Sequence, residues 1–299
     1  MGRRPTLRWQ WSLVVPPLAS RLSPLALAFL LSPLAVSAAL GQSVLLQIRP
    51  HIGDTLRMHL SQTVEMTGTN KSRGRDSTTS MTTSLEVFTR AIPNQWTSSG
   101  TLMQAITDSV KMTPASQASI DDLKRRSMQA RPVWLRVSTD GAMEIVDDAD
   151  PNSELRHLFG EMPALLAREP VRVGSRWTRE MQIPLSGDPG TTGEVKATFR
   201  LDSLGRNGDI AYISLHGTMS RANAPSGQAQ PTGTGYMTSG TLTGTIQIDR
   251  RLGWITDSKS SIIVRSTIAQ AAAPKGEPQS APMQVRTKIT QWIRAMRAR

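Results

Sequence analysis

Alternation of apolar and polar residues is the feature of this sequence that most restricts its fold. Leu56, Met58, Leu60, Val64 and Met66 share one parity, and Val195, Ala197, Phe199 and Leu201 alternate with Lys196, Thr198, Arg200 and Asp202. A period of two sends successive side chains to opposite sides of an extended backbone, so one face is apolar and the other is wetted. These segments are expected to be half-buried antiparallel strands. Further strands are expected at 85–92, 96–112, 133–137, 143–146, 210–219, 237–248, 254–268 and 285–293, all frequent in Thr, Val and Ile.

One stretch departs from this period. Within 150–169, Leu155, Leu158, Phe159, Met162, Leu165 and Leu166 follow helical spacing, and Asp150 before Pro151 fits a helix start. Pro163 should kink that helix or begin a second one. Residues 117–129 carry a weaker helical pattern. Three stretches, 67–80, 221–235 and 271–282, are rich in Gly, Ser, Thr, Pro or Ala and read as long loops between strands. The expected fold class is mainly β (β-rich α+β): an antiparallel curved sheet or sheets, in one body or two duplicated lobes, with one or two helices near the middle.

The start of the chain has a different character. Arg3, Arg4, Arg8 and Arg21 precede an apolar stretch beginning LALAFLL at 25–31 and ending in small residues. That is the layout of a secretory signal peptide, with cleavage after Ala38 or after Gly41. Pro33 interrupts the stretch, which is short for a bilayer span of roughly 20 residues. Residues 1–41 are therefore assigned to a signal peptide, 42–169 to an N-terminal β lobe ending in a helical segment, and 170–299 to a C-terminal β lobe. The exported product is expected outside the cytoplasm, in the periplasm or secreted.

Charge sharpens this picture. The chain carries 35 Lys plus Arg against 23 Asp plus Glu. Four of the Arg leave with the signal, and five basic residues (Arg286, Lys288, Arg294, Arg297, Arg299) stand without an acid after 282. The rest of the body, 26 against 23, is nearly balanced, so a nucleic-acid partner has little support. The basic end is read as a solvated last strand, or as an exposed edge that a partner extends, with Arg286 and Lys288 blunting it.

Two turns resemble each other. Pro50 to Leu56 and Pro170 to Trp177 align on Gly53 and Gly174, each following a β-branched residue and leading into a strand. Strand–Gly–strand segments around Gly141 and Gly253 follow at similar distances. An internal duplication explains both landmarks; recurrence of Gly turns in any hairpin-rich chain also explains them. The order of signal peptide, Gly53-Asp54-Thr55-Leu56 strand entry, helical segment, Pro170-Val171-Arg172-Val173-Gly174-Ser175-Arg176-Trp177 motif and Gly253-Trp254 hairpin resembles a family of exported, β-rich bacterial proteins of unknown function. Many members of that family are lipoproteins, whereas this chain has no Cys to carry a lipid. The resemblance implies architecture and no catalytic residues. A looser similarity at the level of fold is to periplasmic lipoprotein carriers, whose curved sheet encloses acyl chains.

Signatures of chemistry are sparse. His51, His59, His157 and His216 have no metal-ligand partner at short spacing, and HExxH, GxSxG, GxxxxGK[ST] and GxGxxG in strand-to-helix context do not occur. A calcium-loop match starting at Asp148 fails at Ser153 and Phe159. Trp96, Trp134, Trp177, Trp254 and Trp292 are scattered one per segment, as core packing would have them. With 4% aromatic residues, the girdles of an outer-membrane barrel are hard to supply. No catalytic, cofactor-binding or metal residue is assigned, and no cofactor is expected. The reading is an exported, non-enzymatic binding or scaffold protein, presenting a curved sheet to a lipid-like apolar ligand or an envelope protein. The alternative is a cell-envelope hydrolase whose acidic residues assemble only in space.

Overall fold

The alternating segments all become strands. The computed structural model describes residues 43–72, 75–113, 132–147, 161–184, 192–221, 236–268 and 283–296. Their strands are β1 (Leu56–Ser72), β2 (Arg75–Thr97), β3 (Gly100–Thr113), β4 (Pro132–Val137), β5 (Met143–Asp147), β6 (Glu161–Met162), β7 (Arg176–Pro184), β8 (Thr192–Gly205), β9 (Ile210–Arg221), β10 (Tyr236–Asp249), β11 (Trp254–Ile268) and β12 (Met283–Met296). They form one antiparallel sheet of twelve strands in the order β6-β5-β4-β3-β2-β1-β12-β11-β10-β9-β8-β7. Every strand lies beside its neighbour in sequence except at β6 and β7, which are the two edges. The halves 42–169 and 170–299 contribute six strands each and share a single sheet through the β1–β12 ladder.

Three expectations are corrected. First, the described residues hold no α-helix, only a 3-10 turn at Arg206–Gly208. Residues 161–162 are strand and 163–169 are irregular, while 117–129 and 150–160 lie outside the described residues. Helical spacing misleads at Leu165 and Leu166 because neighbours satisfy their backbone. Both N–H groups donate to Asp140 O, Trp177 Nε1 donates to Leu165 O, and the Arg179 guanidinium donates to Leu166 O. Second, 67–80 is largely strand: β1 and β2 pair from Leu56↔Ala91 to Ser72↔Arg75. Ser77, Thr78, Thr79 and Ser80 of that hairpin are exposed, on both of its faces. Third, β12 is no edge, since β1 flanks it on one side and β11 on the other. The 96–112 segment also divides, into β2 and β3, at a turn where Gly100 takes φ +145° against the Val137 carbonyl.

The sheet must curl. The N–H groups of the adjacent residues Ile48 and Arg49 reach Thr139 O at 2.9 Å and Gly253 O at 2.8 Å. Those carbonyls belong to the β4–β5 and β10–β11 turns, six strand spacings apart in the sheet order, or roughly 29 Å if the sheet were flat. Leu165 spans a wider gap, from the β4–β5 turn to Trp177 on β7. Both arms therefore bend toward the same two segments, 43–50 and 163–171, which are stitched to each other by reciprocal Val44–Val171 hydrogen bonds of 2.8 Å. Together these segments cap one end of the curl. Leu46 and Ile48 are 1% and 2% exposed, and with Leu166 they join Met103 and Val137 of one arm to Phe199, Ile213 and Ile248 of the other in a single core.

The short turns after β2, β4, β8 and β10 all lie at this capped end, together with the start of β1 and the finish of β12. Gly253 shows why its turn fits there: φ is +61°, and a Cβ would sit 2.1 Å from Arg49 O. Only glycine allows that turn and the cap to touch.

Candidate functional site

Register assigns the two faces of the sheet. Phe199, Leu201, Ile213 and Ile246 are in the core, so their parity points inward. Following the ladders, Leu60, Ile293, Ser258, Ile246 and Ile213 form one inward row. Val64, Ile289, Ile262, Leu242 and Gly217 form another, four positions further from the cap, and Met66, Thr287, Val264, Gly240 and Met219 form the next. Between the first two runs Gln62–Gln291–Ser260, a polar row whose side chains make no hydrogen bond among the described residues.

This inner wall is the candidate site. Near the cap it is filled by the protein's own side chains. Farther away, Leu60, Val64, Ile262 and Ile289 on the central strands are half-buried, and the cross-strand pair Met66 and Met81 is 38% and 55% exposed. Apolar side chains that carry the inward parity past the packed core are chemically suited to acyl or other hydrocarbon groups.

The outer face has the opposite chemistry. Glu65 opposes Lys288, with Nζ–Oε1 at 3.4 Å. Arg90 pairs with Asp108 at 2.8 Å, Lys196 with Glu180 at 3.0 Å, and Arg136 with Glu144. The Glu180 hydrogen bond raises the Lys196 pKa. Exposed pairs of this kind contribute little stability, but they identify a water-facing surface. A lipid-facing barrel exterior is apolar, and Arg or Lys at its middle costs about 2–4 kcal/mol. Among the described residues no helix is long and apolar enough to cross a membrane.

Residues singled out in the sequence are dispersed. His51 lies 3.5 Å from Asp54 on an exposed turn, His59 stacks on Phe88 with centroids 4.4 Å apart, and His216 is exposed opposite Thr198 and Thr243. His157 and the acidic run 148–154 lie outside the described residues. No group of three His, Cys, Asp or Glu among the described residues could hold a metal. The tryptophans do not converge. Trp177 stacks on Phe199 in the core, and Trp254 Nε1 contacts Met58 Sδ at 3.3 Å. Trp96 donates to Pro50 O beneath the Arg49 guanidinium, half-buried Trp134 sits opposite Gln104, and Trp292 lies between Lys259 and Arg294 while donating to Asp257.

One carboxylate is tuned by the cap. Partial burial pushes Asp140 up, but hydrogen bonds from Ser138 and the Ala142 backbone, together with the Arg168 guanidinium, outweigh it and leave the pKa below its ordinary 3.8. A depressed folded-state pKa means that this stabilisation is present above the unfolded value and is lost as pH falls through the folded one. Asp140→Ala is expected to cost about 1–2 kcal/mol at neutral pH. Urea titrations should show that difference shrinking as pH drops below 3.8.

The sequence did not single out the cap segment 43–50 or the inner polar row. Val44, Leu46 and Ile48 carried a period-two signal, but the row exists only through pairings between distant strands.

No curated protein matches the chain in sequence. Among solved structures, the crystal structure of an outer membrane channel from Pseudomonas putida F1 is 10% identical and aligns over 85% of this chain and 97% of that one, with a TM-score of 0.18, too loose a superposition to transfer fold or function. From the β4–β5 turn through the cap segment 163–171 to the start of β11, residues 138–255 match the model of a family described as a family of unknown function (DUF6263).

Proposed function

We propose that this is an exported, non-enzymatic binding protein that holds an apolar, acyl-like ligand on the inner wall of its curled sheet. The observation that carries the reading is the half-buried apolar wall of Leu60, Val64, Ile262 and Ile289, leading to the exposed Met66–Met81 pair. Export rests on residues 1–41, read as a signal peptide whose removal leaves the body 42–299 outside the cytoplasm. Of the described carboxylates, Asp108, Glu144, Glu180 and Glu65 are engaged in outer-face ion pairs and give the hydrolase alternative no support, whereas Asp209 and Asp249 share a depression with His51.

The halves 42–169 and 170–299 are proposed to descend from one duplication. Gly53 and Gly174, with φ of +86° and +89°, precede β1 and β7, and Gly141 and Gly253, also at positive φ, turn β4 into β5 and β10 into β11. Corresponding turns thus stand at corresponding places in two six-stranded meanders.

The test is native mass spectrometry of gently purified protein, solvent extraction, and titration with a fluorescent fatty acid. A bound hydrophobic mass and saturable binding are expected. Val64→Asp with Ile289→Asp places two carboxylates on the wall and should weaken binding at least about tenfold. A wild-type protein that carries no ligand and does not bind the probe would leave a scaffold role.

A further inference from the structure

Of the ten large hydrophobic side chains exposed among the described residues, only Met66, Met81 and Val146 lie away from the capped end. Three of the other seven, Ile52, Val173 and Leu252, are 42%, 53% and 40% exposed, and each stands immediately before a positive-φ glycine at a turn. Nothing in the folding of a tight turn calls for an aliphatic tip, since polar residues serve there equally well. Trp96 and Tyr212, with apolar bodies and polar handles, are 46% and 42% exposed at the same end.

The charges around these tips lean to the basic side. Arg49, Arg172, Arg176 and Arg206 are exposed and form no ion pair among the described residues. Of the nearby acids, Asp140 is paired with Arg168 and Asp209 with Arg251, Asp54 lies 3.5 Å from His51, and Asp249 accepts from the Arg251 and Leu252 N–H groups. Glu169 is exposed beside them. The features are also close in space. His51, Arg206, Asp209, Asp249, Arg251 and Leu252 line one depression, and residues 44–49 run from the Val171 bridge to the Gly253 turn.

We propose that the capped end is a docking surface for an anionic phospholipid bilayer. The aliphatic turn tips and Trp96 enter the interface, and the unpaired guanidiniums meet lipid phosphates. Short apolar tips flanked by arginine suit a boundary that changes from phosphate to hydrocarbon within several ångströms. This surface is on the fold's exterior and does not depend on what the inner wall holds.

Sedimentation of the full chain with vesicles of phosphatidylcholine, alone or mixed with phosphatidylglycerol, tests the proposal. Wild type should prefer the anionic vesicles. Ile52→Asp/Val173→Asp/Leu252→Asp should lower partitioning at least about tenfold, and Arg172→Gln/Arg176→Gln/Arg206→Gln should remove the preference for anionic lipid. The arginine variant changes only exposed side chains, so it remains informative if the first variant folds poorly. Wild-type partitioning by the arginine variant, or by a folded triple-Asp variant, would overturn the proposal. Indifference of the wild type to lipid charge would overturn it as well.

Discussion

Deleting residues 283–299 is expected to abolish folding of the body rather than to free a partner-binding edge. β12 lies between β1 and β11, in register over fourteen residue pairs on one side and twelve on the other. Antiparallel ladders supply about one hydrogen bond per pair, and each contributes about 1 kcal/mol net. Their loss exceeds the whole stability of an ordinary domain, about 5–15 kcal/mol. The inward side chains Ile289 and Ile293 would go with them. The truncated chain should show no cooperative thermal transition and no near-ultraviolet circular dichroism. A truncated protein that retains both would mean that the two halves fold as independent lobes.

Leu46→Asp is expected to have the next largest effect. Leu46 is 1% exposed within the segment that ties Val171 to the β4–β5 and β10–β11 turns. Truncating a buried leucine costs about 2–5 kcal/mol, and an unpaired buried carboxylate adds to that. The expected loss is at least about 4 kcal/mol, read as a shift in the urea midpoint at constant slope. Leu46→Met should be nearly neutral because it conserves volume. If Leu46→Asp is also neutral, the cap is not part of the cooperative unit.

The strands were legible because alternation is a local property. Leu56 to Met66 and Val195 to Leu201 point inward and outward as their parity dictates, and Gly53 and Gly174 occupy the turns they were assigned. The order of strands was not legible. Glu65 meets Lys288 across 223 residues, and nothing in either strand names the other as its neighbour. The basic residues of 283–299 pointed to an exposed strand; Arg286 and Arg294 are exposed, but through one face of a central strand. The 163–169 segment misled for a different reason, since a cap that inserts several leucines into a core can imitate the spacing of a helix. The candidate wall was half legible: its apolar composition followed from parity, whereas its continuity across β1, β12, β11 and β10 followed only from register.

The central β1–β12 ladder also bears on how the molecule reaches its native state. A chain made or exported from its N-terminus presents β1 first and β12 last, so β1 waits with one edge unpaired and its apolar face uncovered until almost the whole sequence has emerged. Local hairpins such as β1–β2 and β10–β11 can close early, but the contact that unites the halves has one of the longest loop closures in the chain. Folding is therefore expected to be slow, with its rate set by that closure. The waiting intermediate is the species most prone to aggregation and most in need of a chaperone.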